Sequence, residues 1–440
     1  MTAATLNALK CCVTGGVFTA LLCCATLSLR AEIGVAGAGV ARATSFALSP
    51  AVEESLLLDA ILALEQGRLE DAIAGLEGLL AKRPNFRLAQ LVYADLVGAR
   101  THPLTRFGAG GGSSETLLAL RDEAVRRLRH ARNGPADSLV PENLVMPGPD
   151  QPHVIVVDTA ASRLYVFANR SGKLIRQFDY YISSGKNGAP KVREGDQKTP
   201  VGVYFMTGRI VPAELPDFFG AGALPLNYPN EWDMYLGRTG YGIWIHGVPS
   251  STYTRAPQAS DGCIALANPD LKVLWRELSP EGTPVIIADG VRWVAPETVN
   301  ARRREFLQAL ESWEKDWESL DFDRYADHYD EDFVSEGYDL AGWLRKKRRI
   351  NSAKSFIDVT LSGVSVFSYP GENDMVVVTF DQDYRSSNFA DRSRKRQYWR
   401  RADDGNWRIV FEYEARFYDV HYRGMPYSVR ASLSRLNELR

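Results

Sequence analysis

Two side chains in this 440-residue chain are suited to nucleophilic chemistry and are joined by one loop, His246 and Cys263. A thiol attacks a carbonyl as its thiolate, so it needs a base that takes its proton and later returns it to the leaving group. Cysteine and histidine supply that pair. The separation, 263 − 246 = 17 residues, lets the two meet if the segment between them folds back. The flanking sequences are Ile-Trp-Ile-His-Gly-Val-Pro from Ile243 and Ala-Ser-Asp-Gly-Cys-Ile-Ala-Leu-Ala-Asn ending at Asn268. Gly247 and Gly262 stand beside the reactive positions and permit the tight backbone that such a return requires.

Cysteine placement sharpens this reading. Of five cysteines, Cys11, Cys12, Cys23 and Cys24 fall in the first apolar run. That run, from Cys11 to Leu29 behind Lys10, has the form of a secretory signal peptide or, left uncleaved, an N-terminal anchor over residues 1–31. Export would place the remainder in the periplasm or cell envelope, with a membrane tether if the leader stays. The mature chain would then keep one thiol, which can form neither an internal disulfide nor a metal cluster and reads as a reactive group. The competing reading of a lone cysteine is a small buried hydrophobe; the glycine before it and the His-Gly upstream weigh against that. His102, His130, His153, His328 and His421 show no ligand spacing, so neither a metal nor a cofactor is expected. A net charge of −2 argues against a nucleic-acid binder.

The stretch from His246 to Ile264 resembles the catalytic motif of the YkuD-type L,D-transpeptidases: His-Gly, a loop, then Ser/Thr-His-Gly-Cys and an apolar residue. His246, Gly247, Ser260, Gly262, Cys263 and Ile264 match. Upstream, Lys198-Thr199-Pro200-Val201-Gly202-Val203-Tyr204 is similar to the Thr-Pro-x-Gly-x-Tyr/Phe strand of that family, in the same order. Asp261 stands where most members have a second histidine, and Ala265 where Arg or Asn is common. The departure bears on substrate and outcome rather than on thiol chemistry.

The roles that follow are Cys263 as nucleophile and His246 as general base and acid, its imidazole lowering the thiol pKa. The Gly247 carbonyl would orient the ring, the N–H groups of Gly262 and Cys263 would form an oxyanion hole, and Ser260 would support the motif loop. Asp261 is assigned to substrate or to local hydrogen bonds, since its charge would raise the thiol pKa. The resemblance implies a peptidoglycan tetrapeptide stem as donor, a thioester on Cys263, and an amine acceptor for crosslinking or water for L,D-carboxypeptidase trimming. A non-catalytic wall-binding scaffold is the reading from another class.

The elements that must position these residues fall into blocks, and the length suits two or three domains. Residues 50–132 carry helical periodicity, as in Leu56, Leu57, Ala60, Ile61 and Leu64, with a break at Gly67 and a stop at Pro84. The segment resembles a tetratricopeptide repeat with a trailing helix. Such units bury their faces against neighbours, so it must pack on something or dock a protein partner. Phe107 to Ser114 is a glycine-rich loop, and Arg126, Arg127, Arg129 and Arg132 on the next helix read as a solvated face. Residues 133–152, rich in Pro and Gly, read as a linker.

Short β-rich runs from His153 make residues 153–289 a mostly-β catalytic domain, for which the resemblance implies a β-sandwich-like fold. The insert between Arg209 and Gly242 holds Trp232 and Tyr241 among other aromatics, and reads as a lid or binding loop that touches substrate through those two, or as a hydrophobic cluster. Residues 298–420 run from helices into strands, an α+β pattern resembling the NTF2-like or SnoaL-like fold, whose members include binding and dimerisation modules. An attached domain of this kind is seen in relatives that trim stem peptides. Arg345-Lys346-Lys347-Arg348-Arg349 reads as a solvated helix face, and residues 421–440 as a tail. The fold class expected is therefore multidomain: helical, then mostly β, then α+β.

Overall fold

The computed structural model describes residues 52–101, 108 and 114–415. The leader, most of the glycine-rich stretch and the tail lie outside the described residues. Four helices come first: α1 (Val52–Glu65), α2 (Leu69–Lys82), α3 (Arg87–Ala99) and α4 (Ser114–Asn133). Gly67 turns the chain between α1 and α2 with φ of 74°, a conformation that suits glycine. Leu57, Ala60, Ile73, Leu76 and Leu79 form the apolar seam, and the small alanines let the helices approach closely. The module does not close its core alone. Tyr253 and Ala267 of the central, mostly-β domain complete the same cluster.

The central domain carries β1 (Val140–Pro141), β2 (His153–Asp158), β3 (Arg163–Arg170), β4 (Lys173–Gly185), β5 (Gly202–Thr207), β6 (Ala223–Pro225), α5 (Glu231–Tyr235), β7 (Trp244–His246), β8 (Gln258–Ser260), β9 (Ile264–Leu266), α6 (Asn268–Glu277), β10 (Glu281–Ala288) and β11 (Trp293–Val294). The main sheet runs β5-β10-β2-β3-β4-β9-β7-β6, with β8 joined to β4 and β1 paired separately with β11. Ile155, Val157, Leu164, Val166, Ile182 and Ile245 of the sheet pack with Leu271 and Leu274 of α6, burying one sheet face under a helix.

The last domain comprises α7 (Pro296–Glu318), α8 (Phe322–Ala326), β12 (Tyr329–Ser335), β13 (Tyr338–Asp339), α9 (Leu340–Asn351), β14 (Ile357–Ser368), β15 (Met375–Ser386), β16 (Phe389–Arg401) and β17 (Trp407–Glu414). Its sheet order is β13-β12-β17-β16-β15-β14. Phe306, Leu310, Trp313 and Trp317 of α7 recur at helical spacing and lie in its core with Trp399 and Phe380.

Three expectations change in three dimensions. The 133–152 segment is a strap rather than a free linker. It pairs through β1 with β11, bridges Met146 to Val366, and buries Leu144 and Val145. Arg127 does not lie on a solvated face. It is buried and ion-paired to Glu123 and Glu54, each at 2.8 Å, while Arg163 of β3 grips Glu54 through two hydrogen bonds of 2.9 and 2.7 Å. Lys347 leaves the expected solvated stripe and lies over the rings of Trp343 (4.4 Å) and Trp317 (5.2 Å), where burial lowers its pKa.

The Glu54 cluster joins the helical module to the main sheet. Burial alone would raise the Glu54 pKa, but the guanidinium groups of Arg163 and Arg127 outweigh it and lower the pKa to about 2. Its stabilisation is therefore present above the ordinary carboxylate pKa of 4.5 and is lost as pH falls toward about 2. Replacing Glu54 with alanine removes the anion that two buried cations share, leaving Arg127 with Glu123 alone and Arg163 with Asp179 at 3.5 Å, and is expected to cost about 3–5 kcal/mol. Urea unfolding of Glu54→Ala against wild type at pH 7 measures this, and the difference should shrink when the pair is compared near pH 3.

Candidate active site

The site is built where two very short strands run side by side. β7 and β9 pair in parallel, with Ile245 opposite Ile264 and His246 opposite Ala265. Alternate residues of a strand share a face, so His246, Trp244, Ala265 and Cys263 all project to one side. His246 and Cys263 are diagonal neighbours there, the second one position before β9, so the two side chains stand on the same patch of sheet surface. The 17-residue loop thus returns as the residue types require.

The turn carrying Cys263 is stapled from several sides. Before it, β8 pairs with the end of β4 in parallel, and after it β9 pairs with β4 antiparallel. The Ser260 hydroxyl donates to the Cys263 carbonyl at 2.6 Å and accepts the Gly262 N–H at 3.1 Å. Thr199, from the upstream Thr-Pro motif, donates to the Gly262 carbonyl at 3.0 Å and accepts the Gly185 N–H at 2.9 Å. Gly262 has φ of +126°, and a Cβ there would sit 2.6 Å from the Lys198 carbonyl. A side chain at this position is excluded twice, by backbone conformation and by space.

One expected role is corrected by these bonds. The Gly262 N–H is spent on Ser260 and is not available to an oxyanion. Ser260 is occupied with both of these bonds within the turn.

His246 is 1% exposed, and its Nδ1 lies 2.6 Å from the Gly247 carbonyl. A carbonyl accepts and cannot donate, so Nδ1 carries the proton and Nε2 bears the free lone pair. Asn268, the first residue of α6, holds the segment in place. Its Oδ1 accepts the N–H groups of Ala221 (2.8 Å) and Val248 (3.2 Å), and its Nδ2 donates to the Val248 carbonyl (2.8 Å). A Cβ on Gly247 would fall 2.1 Å from that Oδ1, so glycine is what lets the asparagine in.

The electrostatics favour neutral partners. Burial, aided by the Arg255 charge, lowers the His246 pKa to about 3. Burial raises the half-buried Cys263 thiol to about 11, against the opposing effect of the Trp244 N–H and of Arg255. Desolvation thus overrides the expected lowering of the thiol pKa, and the resting pair is thiol and imidazole rather than thiolate and imidazolium. The thiol donates to the Gly242 carbonyl at 3.4 Å.

The aromatic insert divides in two. Phe219 packs edge-on against His246 at 5.0 Å and near Trp244 at 5.1 Å, and the exposed Phe218 lies 6.2 Å from the imidazole. This half covers the site. Trp232 belongs to the other half and is not a substrate contact. It is 1% exposed, stacked on Tyr398 of the last domain at 5.3 Å, and its indole N–H donates to Glu372. Tyr241 is half-buried, one residue before Gly242. Asp261 is exposed on the rim, accepting from Lys186 and Gln197 at 2.9 Å each.

Sequence reasoning missed Asn268 and Arg255. Arg255 is half-buried and its charge acts on both Cys263 and His246, and its one signal in the sequence is a lone cation within the loop that joins them. Among the described residues no group of three His, Cys, Asp or Glu side chains is placed to hold a metal.

Residues 152–287 match the model of the YkuD L,D-transpeptidase catalytic domain, and residues 305–413 that of the Cds6 C-terminal NTF2-like domain. Among solved structures the chain is similar to Bd1075 of Bdellovibrio bacteriovorus, with 30% identity, TM-score 0.56, and coverage of 64% of this chain and 99% of that one. It is also similar to the helical cell shape determining protein Pgp2 of Campylobacter jejuni, with 26% identity, TM-score 0.53, and coverage of 62% and 95%. No curated protein sequence matches.

A neutral resting pair has a pH signature. The rate of Cys263 alkylation by iodoacetamide, read by peptide mass spectrometry, should climb about tenfold per pH unit from pH 7 to pH 9 without a plateau, because the thiolate is scarce below about 11. A plateau reached by pH 7 would mean a preformed ion pair instead.

Proposed function

We propose, for a chain that belongs to the YkuD family of L,D-transpeptidases, that it transfers peptidoglycan stem peptides through a thioester on Cys263. The observation that carries this is the shared face of β7 and β9, with the bare Nε2 of His246 directed by the Gly247 carbonyl. The donor is a tetrapeptide stem. As sulfur attacks the carbonyl of diaminopimelate, the thiol proton passes to Nε2. The imidazolium so formed protonates the departing amine of the terminal D-alanine, leaving the acyl group on sulfur. Proton transfer in step with attack suits two groups that desolvation keeps neutral. The Cys263 N–H serves the oxyanion, while Gly262, Ser260 and Thr199 hold the turn that aims it.

An amine acceptor then gives a crosslink or an exchanged residue. Water gives a tripeptide, and the C-terminal NTF2-like domain is the observation favouring that second outcome, as the resemblance associates it with trimming. The chain works in the cell envelope, exported by its leader, and we place it among enzymes that remodel the wall and so set cell shape, in keeping with its similarity to the helical cell shape determining protein Pgp2.

The test is mass spectrometry of purified protein with disaccharide tetrapeptide. Wild type should release D-alanine, Cys263→Ala should abolish release, and His246→Ala should slow it by about 10²–10⁴-fold. Tripeptide alone identifies water as acceptor; crosslinked dimer, or exchange with an added D-amino acid, identifies a transpeptidase. Absence of both turnover and covalent adduct in wild type would remove the acyl-transfer reading and leave the scaffold.

A further inference from the structure

We propose that Arg255 is the specificity determinant of the donor site, a guanidinium that binds the terminal carboxylate of the leaving residue, positioned by the N-terminal helical module. This rests on the acyl-transfer reading for its substrate, though not for its physical basis.

Arg255 is a half-buried cation that makes no direct ion pair among the described residues, the Asp261 charge acting on it only from a distance. Such a group is costly to desolvate and is ordinarily found paired. Among the described residues its one hydrogen-bond acceptor is the Phe218 carbonyl, at 3.0 Å from Nη2, and its plane lies over the Phe218 ring at 4.1 Å. A guanidinium has five N–H donors in a rigid fork suited to carboxylates, so most of that fork is unspent. The Phe218 ring beneath it lies 6.2 Å from the imidazole, which puts the guanidinium at the edge of the site, and its charge acts on both Cys263 and His246. The nearby Asp261 does not neutralise it by contact; that carboxylate is turned to Lys186 and Gln197 on the rim.

The chemistry of the substrate fits this place. In a stem ending in a free amino acid, the terminal carboxylate follows the scissile amide after one α-carbon. A cation beside the nucleophile reaches that carboxylate, whereas the side-chain carboxylate of diaminopimelate is several carbons away. Binding there would also exclude stems whose terminal carboxylate is absent or blocked, because the fork would then stay buried and unmatched.

The loop bearing Arg255 is held from outside the catalytic domain. Asn85 accepts the Tyr253 N–H at 3.1 Å and donates to the Ser250 carbonyl at 3.0 Å, and Phe86 packs on the Tyr253 ring at 4.6 Å. Thr254 donates to Glu123 of α4 at 2.9 Å. Tyr181 donates to the Arg255 carbonyl at 3.0 Å, and its ring is capped by Arg127 of α4 at 3.8 Å. The residues before Arg255 and its own carbonyl are thereby tied to the helical module and, through Glu123 and Arg127, to the buried ion cluster, so the helical module is part of the substrate-reading apparatus.

The experiment compares Arg255→Gln and Arg255→Lys with wild type in the full chain, by two measurements. The first is the ratio of kcat/KM for tetrapeptide with a free terminal carboxylate to that for its terminal amide. Wild type should favour the free acid by at least about tenfold, Arg255→Gln should bring the ratio near one, and Arg255→Lys should recover part of it. A ratio unchanged by Arg255→Gln, or discrimination confined to stems amidated on the diaminopimelate side chain, overturns the assignment. The second measurement needs no turnover: the relative rates at which anionic iodoacetate and neutral iodoacetamide alkylate Cys263. A fall of several-fold in the iodoacetate preference in Arg255→Gln supports an anion site even should the peptidoglycan substrate prove wrong, and an unchanged preference overturns it.

Discussion

The site depends on one piece of β-pairing. Two strands of three residues, β7 and β9, lie in parallel register, and that register alone puts the imidazole and the thiol on a common face. A slip of one residue would turn Cys263 to the opposite side of the sheet from His246. Strands this short have too few ladder bonds to define their own register, so neighbours must do it. β4 flanks β9 and also holds β8, Asn268 ties the chain after His246 to the loop before β6, and Thr199 ties the turn before Cys263 to the end of β4.

Support extends beyond the catalytic domain in two directions. On one side the helical module closes over the loop between His246 and Cys263 and shares a buried ion cluster with β3. On the other, α5 leaves the aromatic insert and enters the last domain, with Trp232 stacked on Tyr398 and Glu231 paired to Arg396 at 2.8 Å. One insert therefore serves two purposes. Phe218 and Phe219 shield the imidazole, while the segment after them anchors a neighbouring domain.

Desolvation sets the chemical character of the pair. The same packing that fixes His246 strips it of water, and a buried imidazole resists protonation as a buried thiol resists ionisation. A site arranged in this way holds its charge separation for the moment of reaction. It also makes the unpaired guanidinium of Arg255 more consequential, since a charge in such surroundings acts strongly on whatever approaches.

The sequence by itself determined which histidine and cysteine could pair, the glycines that let them turn, the Thr-Pro motif and the succession of helical, mostly-β and α+β blocks. These are local: residue type, spacing and periodicity are written within a few tens of residues. The helix break at Gly67 and the amphipathic α7 were legible for the same reason. What the tertiary structure decided were contacts between distant parts of the chain. Trp232 belongs to a domain interface because Tyr398 lies beneath it, Arg127 is buried because Glu54 comes back to meet it, and the Gly262 N–H is consumed because Ser260 folds over it. Arg255 gained its place in the same way, through helices more than a hundred residues earlier in the chain. A spacing pattern records which side chains can share a face, but burial and pairing depend on what the rest of the chain places against that face.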